Sequence, residues 1–282
     1  MSEKIIKANG VDLCTETFGD RSHPAVLLIM GAMASMLWWP EGLCRRLAKA
    51  GRYVIRYDNR DTGRSIGYPP GQPVYSLDDL ADDAVGILDA YGIEQAHFVG
   101  MSLGGMIAQI VALNRPERVA SLSLVMSSAF GPPDPDLPAM DEKIPAYHSS
   151  GAALNWSDKA AVADYMVGGW RLLSGSAHSF DEEAVRAIAT TEANRARNLV
   201  TMFNHALLKG GEHWYGKIGQ IGARTLVVHG TDDPVLPYPH GIALTREIPQ
   251  ARLLTLQGTG HELHKDDWDK IAGAILEHTS VS

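Results

Sequence analysis

Residues 96–114 read AHFVGMSLGGMIAQIVALN, and the reading of this stretch decides the fold. AHFVG has the character of a short buried strand, while LGGMIAQIVALN places Met106, Ile107, Ile110, Val111 and Leu113 at helical spacing. Ser102 stands between them, in Gly100-Met101-Ser102-Leu103-Gly104. A glycine-x-serine-x-glycine pattern arises by chance in roughly one chain in five or six of such glycine content, so its meaning rests on context. The context is a strand turning sharply into a helix. A residue in that turn takes a strained backbone conformation, and the residues two positions to either side must be small; Gly100 and Gly104 meet that need. The first amides of the helix are then aimed at whatever binds beside Ser102. The bland alternative is a glycine-rich turn with an idle serine.

Working outward, KIIKANG and VDLCTETFG read as strands joined at Asn9-Gly10, a strong hairpin signal. AVLLIM and YVIRYD read as buried strands, separated by a helix near Glu41 to Ala50. Ser76 caps a helix that runs to Tyr91. Beyond the Ser102 stretch come the strand VASLSLVMSS, then ARTLVVHG, a helix near His240 to Glu247, the strand ARLLTLQG and a final helix from about Lys265 to His278. Alternating units with continuously apolar strands predict an α/β fold: a mostly parallel sheet covered by helices on both faces.

The pattern changes at GPPDPDLPAM, where four prolines between Pro132 and Pro138 stop regular structure. From there to about Gly222 the strand signal disappears and helical segments dominate. The expected organisation is a core of residues 1–130 and 222–282 with a helical cap, 131–221, inserted between two strands. Tyr147, Trp156, Tyr165, Met166, Trp170, Met202, Phe203, Trp214 and Tyr215 lie in this insertion. Most of its aromatics are read as packing residues, with a minority facing a pocket.

The net charge of −8 argues against a general nucleic-acid surface. The uncharged stretch Ala25–Pro40 is only 16 residues and ends in proline, too short for a membrane span. MSEKIIKANG lacks the apolar centre of a secretory signal, and the two cysteines, Cys14 and Cys44, form no disulfide framework. The expectation is a cytoplasmic protein acting on a small molecule, with no nucleic-acid or membrane partner and its oligomeric state open.

A serine hydroxyl is a weak nucleophile at neutral pH and needs a base, normally a histidine oriented by a carboxylate. Among eleven histidines, His261 in LQGTGHEL stands in a glycine-flanked loop directly after a strand, where parallel sheets present reactive groups. VVHGTDDPVLP offers Asp232 and Asp233, again just after a strand. The order serine, acid, histidine is that of the α/β-hydrolase fold.

On these residues the chain resembles the α/β-hydrolase superfamily along nearly its whole length, with GMSLGG similar to the nucleophile elbow, HGTDDPVLP to the acid loop and GTGHEL to the histidine loop. The resemblance selects Asp233, three residues after Gly230, over Asp232. It also implies an oxyanion hole formed by the backbone amides of Leu103 and Ala32. YDNRDTGRS is similar to the family's Asp-x-Arg-Gly-x-Gly-x-Ser loop, with Asp61 in place of the first glycine, and Met30 stands where many members have histidine. These departures, together with RDTGRS and GRYVIRYD, look most like the aclacinomycin methylesterase branch, which cleaves the methyl ester of a polyketide antibiotic. Asp58 and Arg60 are expected to be structural partners within one turn.

Other chemistries fit poorly. HELHK lacks the second histidine of the metalloprotease helix, Lys265 standing in its place, and His264 is expected on ordinary helix surface. His97 and His229 read as satisfied core or loop groups. IMGAMAS and GMSLGG both miss the dinucleotide-binding glycines. No cofactor and no metal are expected. The function implied is a serine hydrolase acting on a carboxylic ester through Ser102, His261 and Asp233. The alternatives are a lactonase acting on acyl homoserine lactones, a cofactor-free haloperoxidase or perhydrolase, and a non-catalytic small-molecule receptor.

Overall fold

The structure is a computed structural model that describes residues 3–280. Residues 1–2 and 281–282, at the outer ends of the expected core segments, lie outside the described residues. The strands are β1 (Lys4–Ala8), β2 (Val11–Phe18), β3 (Ala25–Ile29), β4 (Tyr53–Tyr57), β5 (Ala96–Met101), β6 (Val119–Val125), β7 (Thr225–Gly230) and β8 (Arg252–Leu256). They form one sheet in the order β1-β2-β4-β3-β5-β6-β7-β8. β1–β2 and β2–β4 pair antiparallel, and every later pair is parallel. The hairpin falls where Asn9-Gly10 predicts it, with Ala8 opposite Val11. Asn9 and Gly10 take φ of 47° and 76°, the consecutive left-handed pair that a type I′ turn requires.

Strand side chains alternate between two buried layers, which explains why the parallel strands read as continuous apolar runs. Leu27, Ile55 and Phe98 pack against α2 (Leu77–Tyr91), α3 (Leu103–Asn114) and α7 (Pro239–Glu247). Val26, Leu28, Val54 and Val99 point the other way, against α1 (Glu41–Lys49) and α8 (Trp268–Thr279). Ser76 and Asp79 form a reciprocal capping box at the start of α2, and Gly92 ends that helix with φ 65°. The last helix begins at Trp268, because Lys265–Asp267 forms a short 3-10 turn capped by His264. Between β6 and β7 lie α4 (Lys143–Ser150), α5 (Lys159–Leu173), α6 (Glu182–Arg195) and a 3-10 helix, Val200–Leu207.

Two expectations are corrected. Asp58 and Arg60 do not pair with each other. Arg60 reaches Asp83 on α2 through Nε and Nη2, both at 2.7 Å, while Asp58 is held by Arg195 of α6 at 2.7 Å. Both charges are buried, so each needs a close opposite charge, and each finds it across an element boundary, in buried Asp83 for Arg60 and largely buried Arg195 for Asp58. His264 is not on helix surface either. It is buried, stacked on His178 of the insertion with ring centroids 4.3 Å apart.

Candidate active site

Ser102 has φ 52° and ψ −122°, the strained turn that its flanking glycines anticipated. Its amide donates to the Val125 carbonyl at 2.9 Å, which ties the turn to β6, and its carbonyl accepts from the Ser127 hydroxyl at 2.8 Å. A Cβ at Gly100 would overlap the Gly104 carbonyl, and one at Gly104 would overlap the Ile29 carbonyl. Both glycines are therefore required by backbone contact with their neighbours.

His261 Nδ1 lies 2.7 Å from Asp233 Oδ2, in a buried pair. The carboxylate's other oxygen accepts from the Val235 and Leu236 amides at 2.8 and 2.9 Å. Burial alone would raise the Asp233 carboxyl. The charge and hydrogen bond of His261, then His229 and the Leu236 amide, outweigh it and hold the carboxyl below its ordinary value. An ionised Asp233 in turn favours the proton on His261 Nδ1, which leaves Nε2 as the basic nitrogen. Asp232 points elsewhere: it is bonded to the Ser176 hydroxyl and accepts from the Ser176 amide at 3.2 Å. His229 is a neighbour that sequence reasoning left as a bland core group. Its Nε2 is 3.5 Å from Asp233 Oδ2 and 2.7 Å from the Leu236 carbonyl.

The loop after β3 crosses in front of the turn. A Cβ on Gly31 would sit 3.1 Å from Ser102 Cβ, so glycine sets the approach distance. Neither the Ala32 nor the Leu103 amide donates to another described group. The histidine loop is tied to the insertion, since the His261 amide donates to the Leu173 carbonyl and the Ala177 amide to the Gly258 carbonyl, each at 2.8 Å.

Ser102, Ala32 and His261 face one cavity of about 220 Å³. Its far wall comes from the insertion, through Ile144, Tyr147, Met166, Trp170 and Met202. No Asp, Glu, Lys or Arg among the described residues lines it. Of the insertion's aromatics, Tyr147, Tyr165 and Trp170 face the cavity, while Trp156, Phe203, Trp214 and Tyr215 pack elsewhere. Trp38 and Trp170 stack at 4.1 Å and separate this cavity from a neighbouring one that both also line.

His178, His264 and Asp266 bring three potential metal-ligand atoms within 4.8 Å of one another. The two imidazoles, however, are parallel to within 6°, so their in-plane lone pairs do not converge on one ion. His264 Nδ1 already accepts from the Asp266 amide at 3.3 Å, and His178 Nε2 meets Asp267 Oδ2 at 2.9 Å. The cluster is arranged as a stacked, hydrogen-bonded joint between insertion and histidine loop.

The model of the alpha/beta hydrolase fold family matches residues 24–267. Rhodomycin D methylesterase DauP of Streptomyces sp. (strain C5) is 33% identical over 296 residues, covering 100% of this chain and 99% of its own. Rhodomycin D methylesterase DnrP of Streptomyces peucetius is 32% identical over 301 residues, with 100% and 99% covered. Among solved structures, a hydrolase from Pseudomonas aeruginosa PA01 superposes with a TM-score of 0.73 at 26% identity, covering 99% of this chain and 98% of that one. The likeness to a methylesterase branch, read from residues 30 and 51–65, agrees with the names of these two relatives.

Proposed function

The chain belongs to the alpha/beta hydrolase fold family, and from that premise we propose that it is a serine hydrolase cleaving a carboxylic ester. The observation that carries the reading is a buried His261–Asp233 pair, 2.7 Å apart, opening on the same cavity as a serine held at φ 52°. Ser102 attacks the ester carbonyl as His261 Nε2 takes its proton. The oxyanion is received by the amides of Leu103 and Ala32, each such donor being worth about 3–4 kcal/mol. His261 then protonates the departing alkoxide, and Asp233 holds the imidazole in the required tautomer throughout. Water, activated by the same histidine, releases the acid.

Residues 131–221 act as a cap over the acyl group. An uncharged, aromatic and methionine-rich wall suits a bulky apolar acid esterified with a small alcohol such as methanol. This agrees with what the names of the two relatives say of those proteins. We place the enzyme in the cytoplasm. Both cysteines are free and buried, with burial pushing their thiols up to about 12, as suits a reducing compartment. No helix among the described residues is long and apolar enough to cross a membrane.

The test has two arms. An aryl phosphonate ester should leave a stable adduct on Ser102, found by mass spectrometry; tight binding without an adduct supports a receptor instead. A panel of aryl methyl esters, short alkanoate esters and acyl homoserine lactones, compared by kcat/KM, then sets the substrate class. Lactones winning by more than about a hundredfold, nearly 3 kcal/mol of transition-state preference, would overturn the ester reading. Peroxide-dependent halogenation outpacing hydrolysis would favour the perhydrolase alternative.

A further inference from the structure

The loop that carries the Ala32 amide is held in place by a buried histidine from the insertion. Met33, the next residue, has φ 62°, a left-handed conformation that a side chain disfavours and that persists only when its surroundings enforce it. Those surroundings are specific. Asn59 Nδ2 donates to the Met30 carbonyl at 3.0 Å, Asp58 Oδ1 accepts from the Met36 amide at 2.9 Å, and Glu192 of α6 bonds the Ser35 hydroxyl. Between these anchors the Met33 amide donates to His205 Nδ1 at 3.0 Å.

The other side of the imidazole settles its protonation. His205 Nε2 is 2.8 Å from the Arg60 carbonyl, which can only accept, so the proton sits on Nε2 and the lone pair on Nδ1. Both nitrogens are used, and the neutral ring is the form that fits. Burial holds the imidazole below its ordinary value, against the pull of the Arg60 carbonyl and Asp61. The 3-10 helix carrying His205 is itself fastened beside the same loop, through Asn204 Nδ2 to Asp61 Oδ2 at 2.9 Å and Thr201 Oγ1 to the Asp61 carbonyl at 3.0 Å. Met202, on that helix, lines the catalytic cavity.

We propose that His205 is the positioning residue of the oxyanion hole: by accepting the Met33 N–H it fixes the peptide beside Ala32, so that the Ala32 amide faces the developing charge above Ser102. The hole is then complete only with the insertion seated on the core, and the segment that shapes the acyl pocket also sets the catalytic donor. The inference rests on the serine-hydrolase reading above.

Two substitutions separate positioning from general packing. His205→Leu removes the acceptor; His205→Asn keeps an oxygen close to the place of Nδ1. With p-nitrophenyl acetate, His205→Leu should lower kcat by about 10² or more while KM moves by less than about threefold, the size of effect expected for a lost oxyanion donor. The affinity for an aryl trifluoromethyl ketone, which becomes an oxyanion on Ser102, should fall by a similar factor, and that for the product acid should not. His205→Asn should recover at least about tenfold of the loss. A folded His205→Leu enzyme with unchanged kcat and ketone affinity overturns the proposal. So does equal loss of ketone and product binding, or no recovery in His205→Asn. If His205→Leu does not fold, long-range ¹H–¹⁵N NMR of the unmodified protein decides, because a proton on Nδ1 of His205 rules the arrangement out. A wild-type protein that takes no phosphonate on Ser102 and turns over no ester defeats the hydrolase reading itself, and the proposal with it.

Discussion

The rim of the sheet and the segment 131–221 meet at one cavity but are held by different means. On the rim, Ser102, Asp233 and His261 each stand within a few residues of a strand end, and the backbone places them: the Ser102 amide bonds Val125, and the Thr231 amide bonds Leu256 at 3.0 Å. Among the described residues the insertion has no such ladder: scattered backbone bonds, such as that of the His261 amide to Leu173, are joined by side-chain contacts, the stack of Trp38 on Trp170, the ion pair of Asp58 with Arg195, and His205 under Met33. A ladder of backbone bonds tolerates side-chain change, whereas side-chain contacts do not. Reaction chemistry should therefore be robust to substitution of the cap side chains that only line the pocket, His205 under the Met33 loop being the exception, and selectivity sensitive to it.

The sharpest way to break this division is at the rim. Ser102→Ala should lower turnover by on the order of 10⁶, as loss of a serine nucleophile does elsewhere, with the melting temperature unchanged within a few degrees. Asp233→Asn should come next, with kcat falling by about 10⁴ through the wrong histidine tautomer. Asp232→Asn disturbs only exposed contacts to Ser176 and Thr231 and should leave kcat within about twofold. The reverse ranking, read by steady-state kinetics, would assign the acid to Asp232.

Glu192 tests the joint between the two regions. It is fully buried, and burial, then the nearby Asp58, pushes its carboxyl up to about 7. The folded state binds this proton more tightly than the unfolded state does, so stability is full below the unfolded value of 4.5 and is lost as pH rises through about 7. That interval corresponds to on the order of 3 kcal/mol. Calorimetry from pH 5 to 8 should show a decline in stability that Glu192→Gln flattens; identical pH profiles would remove Glu192 from the joint.

After the Asp232 control, the smallest expected loss belongs to the wall. Met202→Ala should change the ratio of kcat/KM between a bulky aryl methyl ester and a short ester by about 1–3 kcal/mol, while acetate turnover stays within about threefold. If acetate turnover falls as far as that of the bulky ester, the wall is part of the catalytic machinery and the division fails.

Some of these features are legible in the order of residues. Asn9-Gly10, the glycines around Ser102 and the cap Ser76 each satisfy a requirement met within a few residues: a positive φ, a close backbone approach, an unpaired helix amide. Strand and helix periods are equally local, and a loop directly after a strand in a parallel sheet points to the rim. Spacing alone left Asp232 and Asp233 both open, and family resemblance separated them.

The sequence by itself thus determined the alternating fold, the turn at Ser102 and the loops that bring His261 and the aspartates to one edge, because these follow from short-range sterics and periodicity. Tertiary structure alone decided the rest. That Arg60 takes Asp83, that Asp58 takes Arg195, and that His264 leaves the surface to stack on His178 depend on which elements pack together. A buried charge announces that it needs a partner, and its chemistry does not say which one. His205 shows the same limit most plainly: it meets Met33 from 172 residues away, and no pattern in either stretch marks the contact that orients the loop.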